Sequence, residues 1–179
     1  MLGSPALGLG VTATLPPLDQ RGTLRGFGPT EAGAFELISA PVTCVGQANS
    51  TLAVGSLEAA GDARASENAF FLHASSIPAG AFGFFLVGDA PDSTFPAGTQ
   101  GELCLGGNIG RLDRPGLGEV QRAQAEGRIS LFIDLAQLPT GSGTEIVTAG
   151  ATRYFQLWYR DAIPSSTSNF SSMVEMTFQ

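Results

Sequence analysis

The sequence predicts an all-β protein, an antiparallel β-sandwich that is jelly-roll-like, with an extended N-terminal arm. Three observations predict it. Short apolar runs recur at roughly ten-residue spacing between Gly- and Pro-bearing turns, the pattern of a sandwich or barrel. The best runs alternate apolar and polar residues, the period of a strand rather than a helix. Of the 179 residues, 43% are hydrophobic and 14% charged, enough apolar material for one core and too much for a disordered chain.

Residues 1–40 differ from the rest. Gly8-Leu9-Gly10, Leu15-Pro16-Pro17-Leu18 and Gly26-Phe27-Gly28-Pro29 break up any period, so this segment reads as an arm or linker. Within it only Ala34 to Ile38 is strand-like, and Phe35, Leu37 and Ile38 are its candidate assembly residues. Residues 41–179 form the sandwich domain. Strands are predicted over Thr51 to Leu57, Ala69 to Ala74 and Phe82 to Val87, the last apolar on both faces and therefore central. Arg128 to Leu135 places Ile129, Leu131, Ile133 and Leu135 inward. Tyr154 to Tyr159 is aromatic, as strands favour. Met173 to Phe178 turns Val174, Met176 and Phe178 in and Glu175 and Thr177 out. Between Gly118 and Gly127 the apolar stripe is only Val120 and Ala123, too thin to seat a helix, so a loop is expected. A faint internal echo links Leu72–Leu86 with Leu131–Trp158. Each reads strand, then Ile-Pro-x-Gly or Leu-Pro-x-Gly, then an aromatic strand, which suits two units of one sandwich.

Cys44 and Cys104 are the only cysteines and lack the paired spacing of a zinc or redox motif. They are expected to form a disulfide closing a loop of about 60 residues, which on a chain-entropy model stabilises by roughly 4 kcal/mol. A disulfide places the working protein outside the cytosol, extracellular or at the cell surface. The first residues lack a signal peptide's basic and apolar regions, which suggests a processed chain or a piece of a longer one.

From Cys44 to Phe178 the chain resembles a C-terminal module of large secreted proteins of planctomycetes and myxobacteria. The resemblance lies in Cys44 followed by Asn49-Ser50-Thr51, in Ile77-Pro78-x-Gly80-x-Phe82-Gly83-Phe84-Phe85, and in Gln100-Gly101-Glu102-Leu103-Cys104-Leu105-Gly106-Gly107-Asn108-Ile109-Gly110-Arg111. It continues in Phe155-Gln156-Leu157-Trp158-Tyr159-Arg160-Asp161 and Ser168-Asn169-Phe170-Ser171. Residues 1–40 lie outside it. The resemblance implies export and a β-rich fold, and it carries no established activity.

The net charge of −7, with every basic residue an arginine, argues against nucleic acid and anionic membrane partners. No apolar run is long enough for membrane insertion as a helix. The single histidine, His73, alternates with strand residues and reads as a sheet histidine rather than a catalytic base. No sequence pattern for a nucleophile elbow, zinc protease or phosphate loop occurs. The glycines of Gly106-Gly107-Asn108-Ile109-Gly110 precede no helix, so they do not read as a phosphate cradle. Asp89, Asp92, Glu102 and Asp113 offer carboxylates for glycoside hydrolysis, and Asp89 with Asp92 offers oxygens for Ca²⁺, but the bland reading is solvated turns. No enzyme activity, cofactor or metal is therefore expected.

The aromatic run from Tyr154 is the most specific feature. Alternation puts Phe155, Leu157 and Tyr159 on one face and Tyr154, Gln156, Trp158 and Arg160 on the other. The second set is a candidate carbohydrate-binding platform, with Trp158 and Tyr154 stacking on a sugar and Gln156 and Arg160 bonding hydroxyls. The competing structural reading packs Trp158 under a loop and pairs Arg160 with Asp161 or Asp113, with Arg111 paired likewise. Asn49 and Asn169 match glycosylation sequons. The expected function is a non-enzymatic extracellular structural or adhesive module that self-assembles into a surface filament through its arm. Its partners are other copies of itself or a longer surface protein. The alternative is a glycan-binding module centred on Trp158.

Overall fold

The computed structural model describes residues 40–162 and 167–179. Phe35, Leu37 and Ile38, and the arm they belong to, lie outside the described residues. In chain order the strands are β1 (Val42–Cys44), β2 (Ser56–Gly61), β3 (Phe70–Ser75), β4 (Phe82–Gly88), β5 (Ala90–Thr94), β6 (Leu103–Gly106) and β7 (Gly110–Leu112). They continue as β8 (Gln121–Arg122), β9 (Ile129–Ile133), β10 (Leu138–Thr140), β11 (Gly143–Glu145), β12 (Thr152–Asp161), β13 (Thr167–Phe170) and β14 (Met173–Thr177). Every pairing between these strands is antiparallel.

Two sheets make the sandwich. The large one runs β1-β14-β12-β4-β7, with β13 also beside β12 and β8 beside β4, and the small one runs β2-β3-β9. Their facing side chains interdigitate as the expected alternation requires. Leu57, Phe70, Leu72, Ile129 and Ile133 come from the small sheet, and Phe85, Val87, Phe155, Leu157, Tyr159, Val174 and Met176 from the large one. Phe70 bridges the layers, its ring centroid 5.4 Å from Phe155 and 5.2 Å from Phe178. The internal echo has a structural counterpart. The first unit crosses from β3 to β4 and the second from β9 to β12, while β3 pairs β9 and β4 pairs β12.

The outer face of the large sheet carries a second apolar cluster: Leu86, Cys104, Leu105, Phe170 and Met173, joined by Phe84, Tyr154 and Trp158. The β5–β6 hairpin covers it. From Phe84 to Val87 both faces of β4 are packed, and its sequence there is apolar throughout. Cys44 and Cys104 form the expected disulfide, with Cα atoms 6.4 Å apart across 60 residues of sequence.

Two segments depart from the sequence reading. The strand expected from Thr51 starts at Ser56 instead. The Asn49 carboxamide oxygen accepts the Thr51 N–H at 2.9 Å and its hydroxyl at 2.6 Å, an Asx turn that outweighs β-propensity. Leu52 follows at φ 66°. The stretch from Gly118 to Gly127 is a loop, as expected, but it contains β8. That short strand is held on β4 because Ala123 donates to Ala81 O and accepts from Gly80 N–H.

Candidate functional site

Strand β12 builds the candidate surface. Between the pairs Phe155↔Val174 and Trp158↔Phe170, Gln156 and Leu157 face Ser171, Ser172 and Met173. That extra residue is a β-bulge. Its free backbone groups are satisfied locally, with Ser171 N–H donating to Leu157 O at 3.0 Å and Leu157 N–H to Ser171 Oγ at 2.9 Å.

Gln156 fills the bulge. It is 0% exposed, its oxygen accepting Cys104 N–H at 3.0 Å and its nitrogen donating to Glu102 O at 3.0 Å and Ser171 O at 2.9 Å. The expectation that Gln156 presents its amide to a sugar is therefore corrected. A buried polar group without partners is costly, and this one gains them by stapling β6 to β12. Tyr154 is half-buried in the same outer cluster.

Asn49 and Asn169 are clamps as well. Asn49 Nδ2 donates to Ser76 O at 2.7 Å and toward the Tyr159 hydroxyl at 3.5 Å. Asn169, 0% exposed, donates to Gln47 O and Ala48 O. A glycan on either nitrogen would require the loop from Gln47 to open, so both sequon positions are corrected to structural residues. Burial drives the Tyr159 hydroxyl up to about 12.

At the far end of β12 the outer face is open. Trp158 is half-buried, packed at a tilt against Phe84 at 4.8 Å between ring centroids, with the Arg160 guanidinium 5.2 Å over the indole. Arg160 thus stands on an aromatic ring and makes no pair with Asp161 or Asp113. Asp161 instead accepts Ser50 N–H at 3.1 Å and Ala162 N–H at 2.8 Å. One strand over, Phe82 is 44% exposed and pairs across the ladder with Arg122, whose guanidinium lies 3.9 Å over the ring. A cleft of about 350 Å³ is lined by Pro78 to Phe82, Arg122, Arg160, Asp161 and Ala162. Sequence reasoning misses Arg122 because its strand is two residues long, below the reach of any period, and Phe82 because its apolar run reads as covered on both faces.

Of the carboxylates proposed for other chemistry, Asp89 lies in a bend, Asp92 in β5, and Glu102 and Asp113 in irregular segments beside strands. Asp89 accepts Asn108 N–H at 2.9 Å beside Gly107 at φ +70°, where a Cβ would collide with the carboxylate. Asp92 accepts the next residue's N–H, and Glu102 accepts the Ser93 hydroxyl. Cys44, Glu102 and Cys104 cluster closely enough to suggest a metal, but both sulfurs are in the disulfide, and a cystine does not offer the thiolate a metal needs.

His73 lies on the outer face of the small sheet, between Glu58 and Ser130 in the ladder. Its Nδ1 is 2.8 Å from Ser130 Oγ, and burial lowers its pKa. Acyl transfer also needs N–H donors converging on an oxyanion. Here β3 is the middle strand of its sheet, so its amides lie in the sheet plane and serve the ladder. The contact reads as a cross-strand polar pair beside the stacked Phe71 ring.

Comparison with known protein families, curated proteins and solved structures found no match to this chain.

Proposed function

We propose that the protein is a non-enzymatic extracellular structural or adhesive module that assembles through its N-terminal arm. The observation that carries this reading is the point at which the arm joins the fold. It leads directly into β1, the edge strand of the large sheet, and β1 ends at Cys44, cross-linked to Cys104 on the covering hairpin. Tension on the arm is therefore resisted by a covalent bond within a few residues. Val42 on that edge is 54% exposed, and an edge that no other described strand pairs is a template for an incoming strand. Phe35, Leu37 and Ile38, added to the edge of a second copy, would propagate a head-to-tail filament.

Light scattering and electron microscopy on the oxidised full chain and on a chain starting at Ala40 test this. Elongated assemblies from the full chain, lost on removal of residues 1–39, support it. A full chain that stays monomeric at all concentrations overturns it.

Glycan binding is the second reading, favoured by the half-buried Trp158 and exposed Arg160 beside an open cleft. It no longer includes Gln156.

A further inference from the structure

Three of the described arginines are neutralised by a carboxylate. Arg64 pairs with Asp62, Arg114 with Glu119, and Arg153 with Glu145 in a two-point contact at 2.7 and 2.8 Å. Arg122 and Arg160 are different. Among the described residues neither has a carboxylate within ion-pair distance, and both are exposed on the same cleft. Each is held over an aromatic ring, Arg122 on Phe82 and Arg160 on Trp158.

That placement has a physical consequence. A guanidinium resting on a ring keeps its planar fork of N–H donors free while losing much of its rotational freedom. Arg122 sits on β8 and Arg160 on β12, with β4 between them, so their backbones are about 10 Å apart. Two long side chains can therefore grip one group from both sides or hold two neighbouring groups. The acid on the cleft, Asp161, is buried and engaged by two backbone amides, so the exposed charge is positive in a molecule of net charge −7. Arg111 extends the basic face along the same sheet. It is exposed and paired with Leu86 of the outer cluster.

We propose that the Arg122–Arg160 cleft binds the oxyanion groups, carboxylate or sulfate, of an acidic polysaccharide. This names a ligand for the adhesive module and rests on that reading only for its extracellular setting. The cleft is near the lower end of small-ligand sites, which span roughly 300–1,000 Å³, and suits one charged sugar unit of a longer chain. Guanidinium forks match planar oxyanions in two-point contacts, and the exposed Phe82 edge offers an apolar wall to the ring.

The test is affinity electrophoresis of the oxidised full chain through gels containing polygalacturonate, dextran sulfate or neutral dextran. Retardation by at least one polyanion, weakening with salt and absent in dextran, is expected. Polygalacturonate alone identifies carboxylate as the source, and dextran sulfate alone identifies sulfate. The R122A/R160A double variant should lose affinity at least about tenfold. Arg128→Ala, outside the cleft, should bind as the parent does. Equal retardation in dextran, no retardation by either polyanion, or an unchanged double variant overturns the proposal. Circular dichroism and thermal melting confirm that the double variant is folded. The chain starting at Ala40 should retain binding, so a failure of arm-driven assembly and a failure of this inference are separable.

Discussion

The two faces of strand β12 use alternate residues of one sequence for opposite purposes. Inward, Phe155, Leu157 and Tyr159 are all fully buried in the apolar core, with the Tyr159 hydroxyl meeting a polar group, Asn49. Outward, Gln156 staples a hairpin, Trp158 is half covered, and Arg160 reaches solvent. The inner face is uniform because the whole small sheet lies against it. The outer face grades from sealed to open because the β5–β6 hairpin covers only one end. The same alternation therefore yields a core on one side and, on the other, a clamp followed by a surface.

The largest effect should come from the inner face. Phe155→Ala removes a ring packed on Phe70 and should destabilise by about 3–5 kcal/mol in chemical denaturation. A loss under about 1 kcal/mol would mean that the two sheets are not packed as described. On the outer face, replacing both Cys44 and Cys104 by Ser should cost up to about 4 kcal/mol, from the loop of 60 residues they close. Gln156→Leu should follow at about 1–3 kcal/mol, because it orphans the Cys104 N–H and two carbonyls. A neutral Gln156→Leu would remove the distinction between clamp and surface.

Tyr159 gives the comparison a pH axis. Its hydroxyl holds its proton to about 12 in the fold and releases it near 10 when unfolded. The folded state then binds the extra proton, so stability should fall as pH rises from about 10 to 12, on the order of 1 kcal/mol per pH unit. Tyr159→Phe should flatten that slope in urea titrations at stepped pH. The smallest effect belongs to the open end. Arg160→Ala should change stability by no more than about 0.5 kcal/mol, and a larger loss would reassign Arg160 to the clamp.

Much of this was legible beforehand. The inward sets Ile129/Ile133 and Val174/Met176, the doubly covered Phe84–Val87 stretch and the cystine were legible in the sequence, whereas Phe82 of the same apolar run is 44% exposed. The candidate platform was legible only in part. Alternation assigned Gln156, Trp158 and Arg160 to one face correctly, but period carries no information on how far along that face a cover extends. Gln156 thus reads as a sugar contact in sequence and is sealed in the fold. Asn49 and Asn169 fail as glycan acceptors for the same reason, since a sequon does not encode whether its amide is already engaged.

What the sequence determined by itself is the longer strands β3, β4, β9, β12 and β14 and the side of each of their residues, because a two-residue period depends only on neighbours in the chain. Only the tertiary structure decided which outward residues meet water. It brought Arg122 from a two-residue strand and Arg160 from a ten-residue one to a single cleft, because strand order and the reach of a covering hairpin arise from contacts between distant segments.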